Sequence, residues 1–439
     1  MRQLLLFLFS LTFGLFSTVS GTELARPTHQ QAAWHDNEIG MFIHFGLETW
    51  LDKESDDEPA SENLKLFDPP NLDVAQWVDV AESFGANYIV LVAKHVGGFC
   101  LWQTDSTEYS IKNAPYKQGK GDILAELSRT CRRRGMQLGV YVYPGSLYHG
   151  AGVGVGGKTD DPARQDEYNR MYRQQLTEVL SRYGEMHEVW FDGSITIPVD
   201  DILKKHAANA VVFQGPRATI RWVGNERGHA PYPAWNSVNS EDPAVKAGHA
   251  TARHGDPDGD QWLPNEVDTV IRYHHWFWSS TNEEDLRSLE DLMEVYYKSV
   301  GHGAVLLLNI APDITGRIPQ ADARRAAEFG AEIKRRFGTS IAETRGQGKR
   351  VELHLEWPAT IDHVITMEDI RQGERVREYV IEGLQDGQWR QIAAGSAIGH
   401  KKIDRFEPTR VQVVRLRVIR STADPIIRKL ATYNVSGDG

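Results

Sequence analysis

Short apolar runs rich in β-branched and aromatic residues alternate with longer segments of helical periodicity up to about Pro319. No other feature limits the fold so tightly. The strand-like runs are Gly40 to Phe45, Asn87 to Ala93, Gln137 to Tyr143, His187 to Phe191 and Ala210 to Phe213. Between them, Asp73 to Phe84, Gly121 to Arg134 and Arg164 to Tyr183 carry apolar residues at helical spacing. A further helix is predicted over Glu284 to Val300, with Leu286, Leu289, Met293 and Tyr296 on one face. Helices between successive strands imply a parallel sheet, because parallel neighbours need long crossovers. The commonest arrangement is a closed (β/α)8-like barrel, regular or irregular, with an open doubly wound sheet as the alternative. No Gly-rich phosphate loop follows the first strand, which weighs against the open sheet.

The period changes after Gly348. Val351, Leu353, Leu355 and Trp357 alternate with Glu352, His354 and Glu356, as in a half-buried strand. Glu378 to Gln391 reads as a hairpin turning at Asp386-Gly387, and Val411 to Arg420 alternates again. These segments predict a C-terminal antiparallel β-sandwich. At the other end, Arg2 precedes an apolar run from Leu4 to Phe16 and small or polar residues through Gly21, the order of a signal peptide. The expected division is therefore a signal peptide over 1–21, a barrel over 22–345 and a sandwich over 348–436. The mature chain is expected to be exported, to the periplasm or the extracellular space, with no membrane span.

A formal charge of −11 and the lack of a long basic run argue against a nucleic-acid partner. Cys100 and Cys131 are the two cysteines and form no disulfide framework; two free thiols are expected. Many of the twelve tryptophans fall in Gly- and Pro-rich stretches between strands. Aromatic faces there suit stacking on the C–H faces of sugar rings.

In a barrel, chemistry sits at the carboxyl ends of the strands. Those ends carry His44, Lys94-His95, Tyr143, Trp190 with Asp192, the stretch Arg221 to Glu226, and the stretch Glu266 to Arg272. Asp192 ends an apolar strand, where an acid is costly to bury unless it is paired or in use. No His, Cys and carboxylate cluster has zinc-ligand spacing and no Gly-x-Ser-x-Gly elbow occurs, so neither a metal nor another cofactor is indicated. Two carboxylates among aromatics fit acetal hydrolysis best.

The motifs Gly40-Met41-Phe42-Ile43-His44-Phe45-Gly46, Ala93-Lys94-His95, Val189-Trp190-Phe191-Asp192-Gly193 and Trp222-Val223-Gly224-Asn225-Glu226 together resemble the α-L-fucosidase family of retaining glycoside hydrolases. Trp262 to Asp268 and Leu306 to Ile310 extend the similarity, and the linkage-specific branch is the most similar. The resemblance implies an exo-acting enzyme that hydrolyses terminal α-L-fucosyl residues of a fucosylated oligosaccharide or glycoconjugate by double displacement. It implies Asp192 as nucleophile and Glu226 as acid/base, with Glu266 the competing candidate. His44, His95, Tyr143 and Trp190 match positions that contact the sugar, and Glu266, if not the acid/base, would help to bind it.

The Glu-Trp element usual in the family after the first strand is not evident among Asp52 to Glu62, and a second departure bears on the substrate. A second His and an Asp usually follow the first His, whereas Val96 and Gly97 follow His95. That change leaves open a relative acting on another L-hexoside, such as an L-galactoside or L-glucoside. A weakly active carbohydrate-binding relative is a third reading, disfavoured by the presence of both carboxylates.

Overall fold

The computed structural model describes residues 24–248 and 254–437; the expected signal peptide lies outside them. Eight parallel strands form one sheet: β1 (Ile39–Ile43), β2 (Tyr88–Lys94), β3 (Gln137–Val142), β4 (Glu188–Trp190), β5 (Val211–Phe213), β6 (Arg221–Trp222), and, after a two-stranded ribbon of β7 (Ser237–Val238) and β8 (Gln261–Trp262), β9 (Asn265–Val270) and β10 (Val305–Asn309). Their spatial order is their chain order, and β10 pairs with β1. The ring closes between β5 and β6 through a single bridge, Phe213 to Ile220, with Ile220 N donating to Val212 O at 3.2 Å. The fold is a (β/α)8-like barrel that is irregular at this seam. Residues 214–219 connect β5 to the β6 side without a helix, so one crossover is missing.

Helices α1 (His29–Asp36), α2 (Leu47–Leu51), α3 (Val74–Ser83), α4 (Ile123–Arg134), α5 (Gln165–Arg182), α6 (Asp200–His206), α7 (Pro243–Lys246), α8 (Leu289–Lys298) and α9 (Gln320–Phe337) occupy the connections and ends. Asp73 and Asp122 cap α3 and α4 by accepting from backbone N–H groups two or three residues on. The helix expected from Glu284 starts later, because Ser288 accepts from Asp291 N at 3.1 Å and caps α8 there.

Strand alternation sorts the barrel into two apolar layers. Met41, Ile43, Leu91, Val140, Val189 and Leu308 face the helices, whereas Phe42, Val90, Tyr141, Trp190, Phe213 and Leu307 face the barrel axis. Two glycines make the lower interior possible. A Cβ on Gly40 would lie 2.3 Å from the Tyr88 ring, and one on Gly139 would lie 3.0 Å from Glu188 Cβ.

The remaining strands, β11 (Ala342–Gln347), β12 (Arg350–Glu368), β13 (Val376–Gln385), β14 (Gln388–Gly395), β15 (Lys402–Ser421) and β16 (Ile426–Tyr433), form a six-stranded antiparallel sheet. Register shifts in the long strands β12 and β15 bend it into a sandwich around Ile361, Val364, Tyr379, Leu416 and Ile427. The β13–β14 hairpin turns at Asp386 and Gly387, both at positive φ, as a two-residue turn of the right twist requires. Cys100 and Cys131 are buried and unpaired.

Just beyond β9, the guanidinium of Arg272 binds Asp322 of α9 at 2.6 Å and the Asn282 carbonyl at 2.8 Å, with both charged side chains buried. Asp322→Ala would leave Arg272 buried without its counter-charge, at a cost of about 3–5 kcal/mol. The melting temperature should fall by several degrees, and adding Arg272→Met should restore part of the loss. An unchanged melting temperature in the single variant would contradict this anchoring.

Candidate active site

The inward side chains at the upper end of the barrel surround a cavity of about 260 Å³. Trp190 forms part of its lining, stacked on Phe213 with ring centroids 3.6 Å apart and planes within 3°. The Trp190 indole Nε1 donates to Glu266 Oε1 at 2.8 Å, which fixes the ring's rotation. Glu266 is the second residue of β9 and so lies deep in the barrel rather than at a strand end; it does not line the cavity. It also accepts from Tyr88 OH at 3.4 Å. Burial raises its pKa well above the carboxyl range, and the neighbouring Glu188 raises it further. Glu188, held by the Trp34 indole at 2.9 Å, is likewise pushed up by burial. Two buried acids so close share the burden of staying neutral.

Asp192 follows β4 on the same face as Glu188 and Trp190 and opens onto the cavity. Its Oδ2 accepts from Tyr141 OH at 3.1 Å. Burial raises its pKa, while the His95 imidazole and the bond from Tyr141 oppose the rise. Glu226, beyond β6, is more exposed and stands on the cavity wall. Its pKa is raised by burial and by repulsion from Asp192 and Glu54, with the Trp276 side chain acting against them. A second cavity of about 600 Å³ lies alongside, and Trp222, Glu226 and Trp276 line both.

The two histidines are held by partners that leave one ring nitrogen for the cavity. His44 Nδ1 lies 2.8 Å from Asn309 Oδ1, and Asn309 Nδ2 donates to the Trp276 carbonyl at 2.7 Å. The amide orientation makes His44 Nδ1 the donor, so Nε2 is an acceptor in the neutral ring. Burial and the nearby His95 keep His44 well below its ordinary pKa. His95 Nδ1 pairs with the buried Glu48 carboxylate of α2 at 3.1 Å.

Among the residues singled out in the sequence, His44, His95, Trp190, Asp192 and Glu226 share this cavity. Tyr143 is not among its lining residues; its hydroxyl accepts from Gly154 N at 2.7 Å. Tyr141, two residues earlier on the same face of β3, is the tyrosine that lines the cavity. Val96 is buried in the barrel's inner apolar cluster and does not line the cavity either. A Cβ on Gly97 would lie 2.7 Å from Asp56 Oδ2, which accepts from Tyr109 OH at 2.5 Å. Asp56 therefore fills the room that a side chain at 97 would need. Trp222 and Asp268, which fall within the noted strand-end stretches but carry no assigned role there, also line the cavity, as does Trp276, which the sequence reading does not mark. Strand alternation is the signal that would have found Asp268 from Glu266 and Tyr141 from Tyr143.

The family model for α-L-fucosidase matches residues 20–336. The chain belongs to the α-L-fucosidase family. It is 30% identical to α-L-fucosidase 1 of Arabidopsis thaliana, over 93% of this chain and 88% of the plant protein. The crystal structure of a glycoside hydrolase 29 family member from a rumen bacterium superposes with a TM-score of 0.84 at 32% identity, covering 95% of this chain and 78% of that one. A Ruminococcus gnavus fucosidase in complex with fucose gives a TM-score of 0.82 at 26% identity, over 93% and 95% of the two chains.

Because Glu266 sits deep and is held neutral, Glu266→Gln should keep kcat/KM within roughly tenfold, since the amide still offers an oxygen to Trp190. Glu266→Leu strands the indole N–H, at a cost of about 1–3 kcal/mol in stability. Kinetics and thermal melts of the two variants read this difference. A loss of several orders of magnitude in Glu266→Gln would instead place the residue in the proton-transfer machinery.

Proposed function

We propose that this chain is an exo-acting, retaining α-L-fucosidase that removes terminal α-L-fucosyl residues from fucosylated oligosaccharides or glycoconjugates. The observation that carries the reading is the placement of the two acids. Asp192 opens only onto the smaller cavity, which is of a size for one sugar ring, whereas Glu226 stands on the wall shared with the larger one. A glycone in the first cavity and its leaving group in the second would put the scissile oxygen beside Glu226.

The chemistry follows from that placement. The Asp192 carboxylate attacks the anomeric carbon as the carbon–oxygen bond to the leaving group breaks, and the Glu226 proton passes to the departing oxygen. Glu226, now a carboxylate, takes a proton from water. The water oxygen attacks the same carbon, and the Asp192 ester breaks to restore the free acid pair. His44 Nε2 and His95 face the ring hydroxyls, and the Trp190 face packs against the ring. The order of protonation fits the electrostatics. Glu226 must start protonated, so its raised pKa keeps activity present at lower pH and activity is lost as pH rises through that value. Asp192 must start ionised, so activity is lost as pH falls through its own pKa.

The N-terminal pattern over residues 1–21 supports export to the periplasm or beyond. Among the described residues no helix is long and apolar enough to cross a membrane. In this reading the barrel, residues 22–345, carries the catalysis and the sandwich, residues 348–436, packs against it.

The test is a substrate panel. Wild-type protein should hydrolyse aryl α-L-fucosides in preference to aryl α-L-galactosides and α-L-glucosides. Glu226→Ala should slow fucosides with poor leaving groups by roughly 10²–10⁴-fold, the usual worth of general acid catalysis, while activated aryl fucosides lose far less. The basic limb of the pH profile should flatten in the same variant. Equal losses on all leaving groups would remove Glu226 from the acid role.

A further inference from the structure

His44 and His95 stand side by side on the cavity wall with ring centroids 5.9 Å apart, and no Lys or Arg is among the described residues that line it. Two imidazoles so close do not readily both carry a positive charge, because each disfavours the other's second proton. Their partners distinguish them. His44 Nδ1 meets the uncharged amide of Asn309 at 2.8 Å, whereas His95 Nδ1 meets the carboxylate of Glu48 at 3.1 Å. Burial holds His44 neutral, and repulsion from His95 adds to it.

Glu48 has no part in the steps above and does not line the cavity. Its side chain is 3% exposed, and the carboxylate lies over Gly46, where a Cβ would be 2.4 Å from Oε2. A carboxylate this enclosed is costly without an ionic partner, and the ion pair the structure gives it is with His95. Asp192 opens onto the same cavity as His95. Burial raises the Asp192 pKa, and of the groups that oppose the rise His95 acts most strongly.

We propose that Glu48 is a positioning residue that acts through His95: its carboxylate accepts from Nδ1–H, turns Nε2–H toward the glycone cavity and lets this ring, rather than that of His44, carry the charge that faces Asp192. This rests on the reading of Asp192 as nucleophile. His95 then donates to the sugar while His44 Nε2 accepts, so the two rings make hydrogen bonds of opposite sense.

The other groups around the His95 ring are Tyr141 and Tyr143, on β3 and just beyond it, and Phe277, whose neighbour His275 is engaged by Glu54 and Asp285. Asp56, itself near Lys53, interacts with Glu48 from the loop after α2. The bond from His95 Nδ1 goes to Glu48 and to none of these.

The experiment compares wild type, Glu48→Gln and Glu48→Leu on 4-nitrophenyl α-L-fucoside across pH, each with and without His95→Asn, and thermal melts establish that each variant is folded. Glu48→Gln keeps an acceptor oxygen and removes only the charge, so it carries the test where Glu48→Leu does not fold. Asp192 must start ionised, so weakening the charge on His95 raises the pH at which activity is lost on the acidic side. That limb should move up by roughly one pH unit in Glu48→Gln, the lower end of what a nearby opposite charge gives. A Glu48 that acted on Asp192 only by its own negative charge would, once removed, move the limb down. Glu48→Leu should lower kcat/KM roughly ten- to hundredfold, as loss of a hydrogen bond to a charged group does. With His95→Asn in place, either substitution should cost less than about threefold further. An acidic limb that stays or moves down in Glu48→Gln, or losses additive with His95→Asn, would overturn the proposal. A wild type inactive on the fucoside, or Asp192→Ala within a few-fold of wild type, would overturn the reading it rests on instead. The pairing is then read from imidazole nitrogen NMR signals, those of His95 being identified by their loss in His95→Asn. They should move in Glu48→Gln, and unmoved signals would overturn the pairing too.

Discussion

The hydrogen bond from the Trp190 indole to Glu266, 2.8 Å long and closed off from water, sets the geometry on which the rest of the site is built. It joins β4 to β9 across the barrel interior, so the aromatic face that lines the cavity is tied to the strand carrying Asp268. Tyr88 reaches the same carboxyl because Gly40 leaves room for its ring. Asp192, two residues beyond Trp190, inherits this placement, and the bond from Tyr141 completes its support. A carboxyl this deep is tolerable only as a neutral group with its acceptors used. Its burial and the proximity of Glu188 both favour that form.

Above this floor the site works by dividing protons among acids. Asp192, Glu226 and Asp268 line one small cavity, and three negative charges there would repel strongly. The environments differ in the way the chemistry needs. Asp192 has His95 and Tyr141 to favour its ionised form, Glu226 is closer to solvent, and Asp268 is the most enclosed. In the proposed mechanism, such a difference of environment lets carboxyl groups of similar intrinsic strength serve one as nucleophile and another as acid. His44 is held neutral by burial and oriented by Asn309, so it adds an acceptor without adding a positive charge.

Much of this is legible in the sequence alone. The strand and helix runs up to Phe213, the Asp386-Gly387 turn and the strand-end position of Asp192 follow from periodicity and turn chemistry, which are local properties. What was not legible depends on pairing between distant segments. Strand β6 is two residues long, and its closure against β5 rests on one bridge, so no local pattern marks it. Glu266 reads as a strand-end acid only if β9 is taken to stop early; in the barrel it is near the strand's start. Tyr141 lies on β3 and Tyr143 just beyond its end in the same alternation, and what separates them is that Tyr143 is engaged by Gly154 while Tyr141 reaches Asp192. The Val96-Gly97 departure is met by Asp56, 41 positions before Gly97, whose carboxylate occupies the space beside the glycine. A substitution and its structural counterpart so far apart cannot be paired from one sequence.

In the proposed mechanism Asp192 forms the covalent bond to the sugar. Incubation with 2-deoxy-2-fluoro-α-L-fucosyl fluoride, whose fluorine slows release of the glycosyl group and whose leaving group needs little acid assistance, tests it most directly. Intact-mass measurement should show the gain of a single fluorofucosyl group, and peptide mapping should place it on Asp192, with no adduct in Asp192→Ala. An adduct on a different carboxylate, or steady turnover of the reagent with inverted stereochemistry and no adduct at all, would contradict the account.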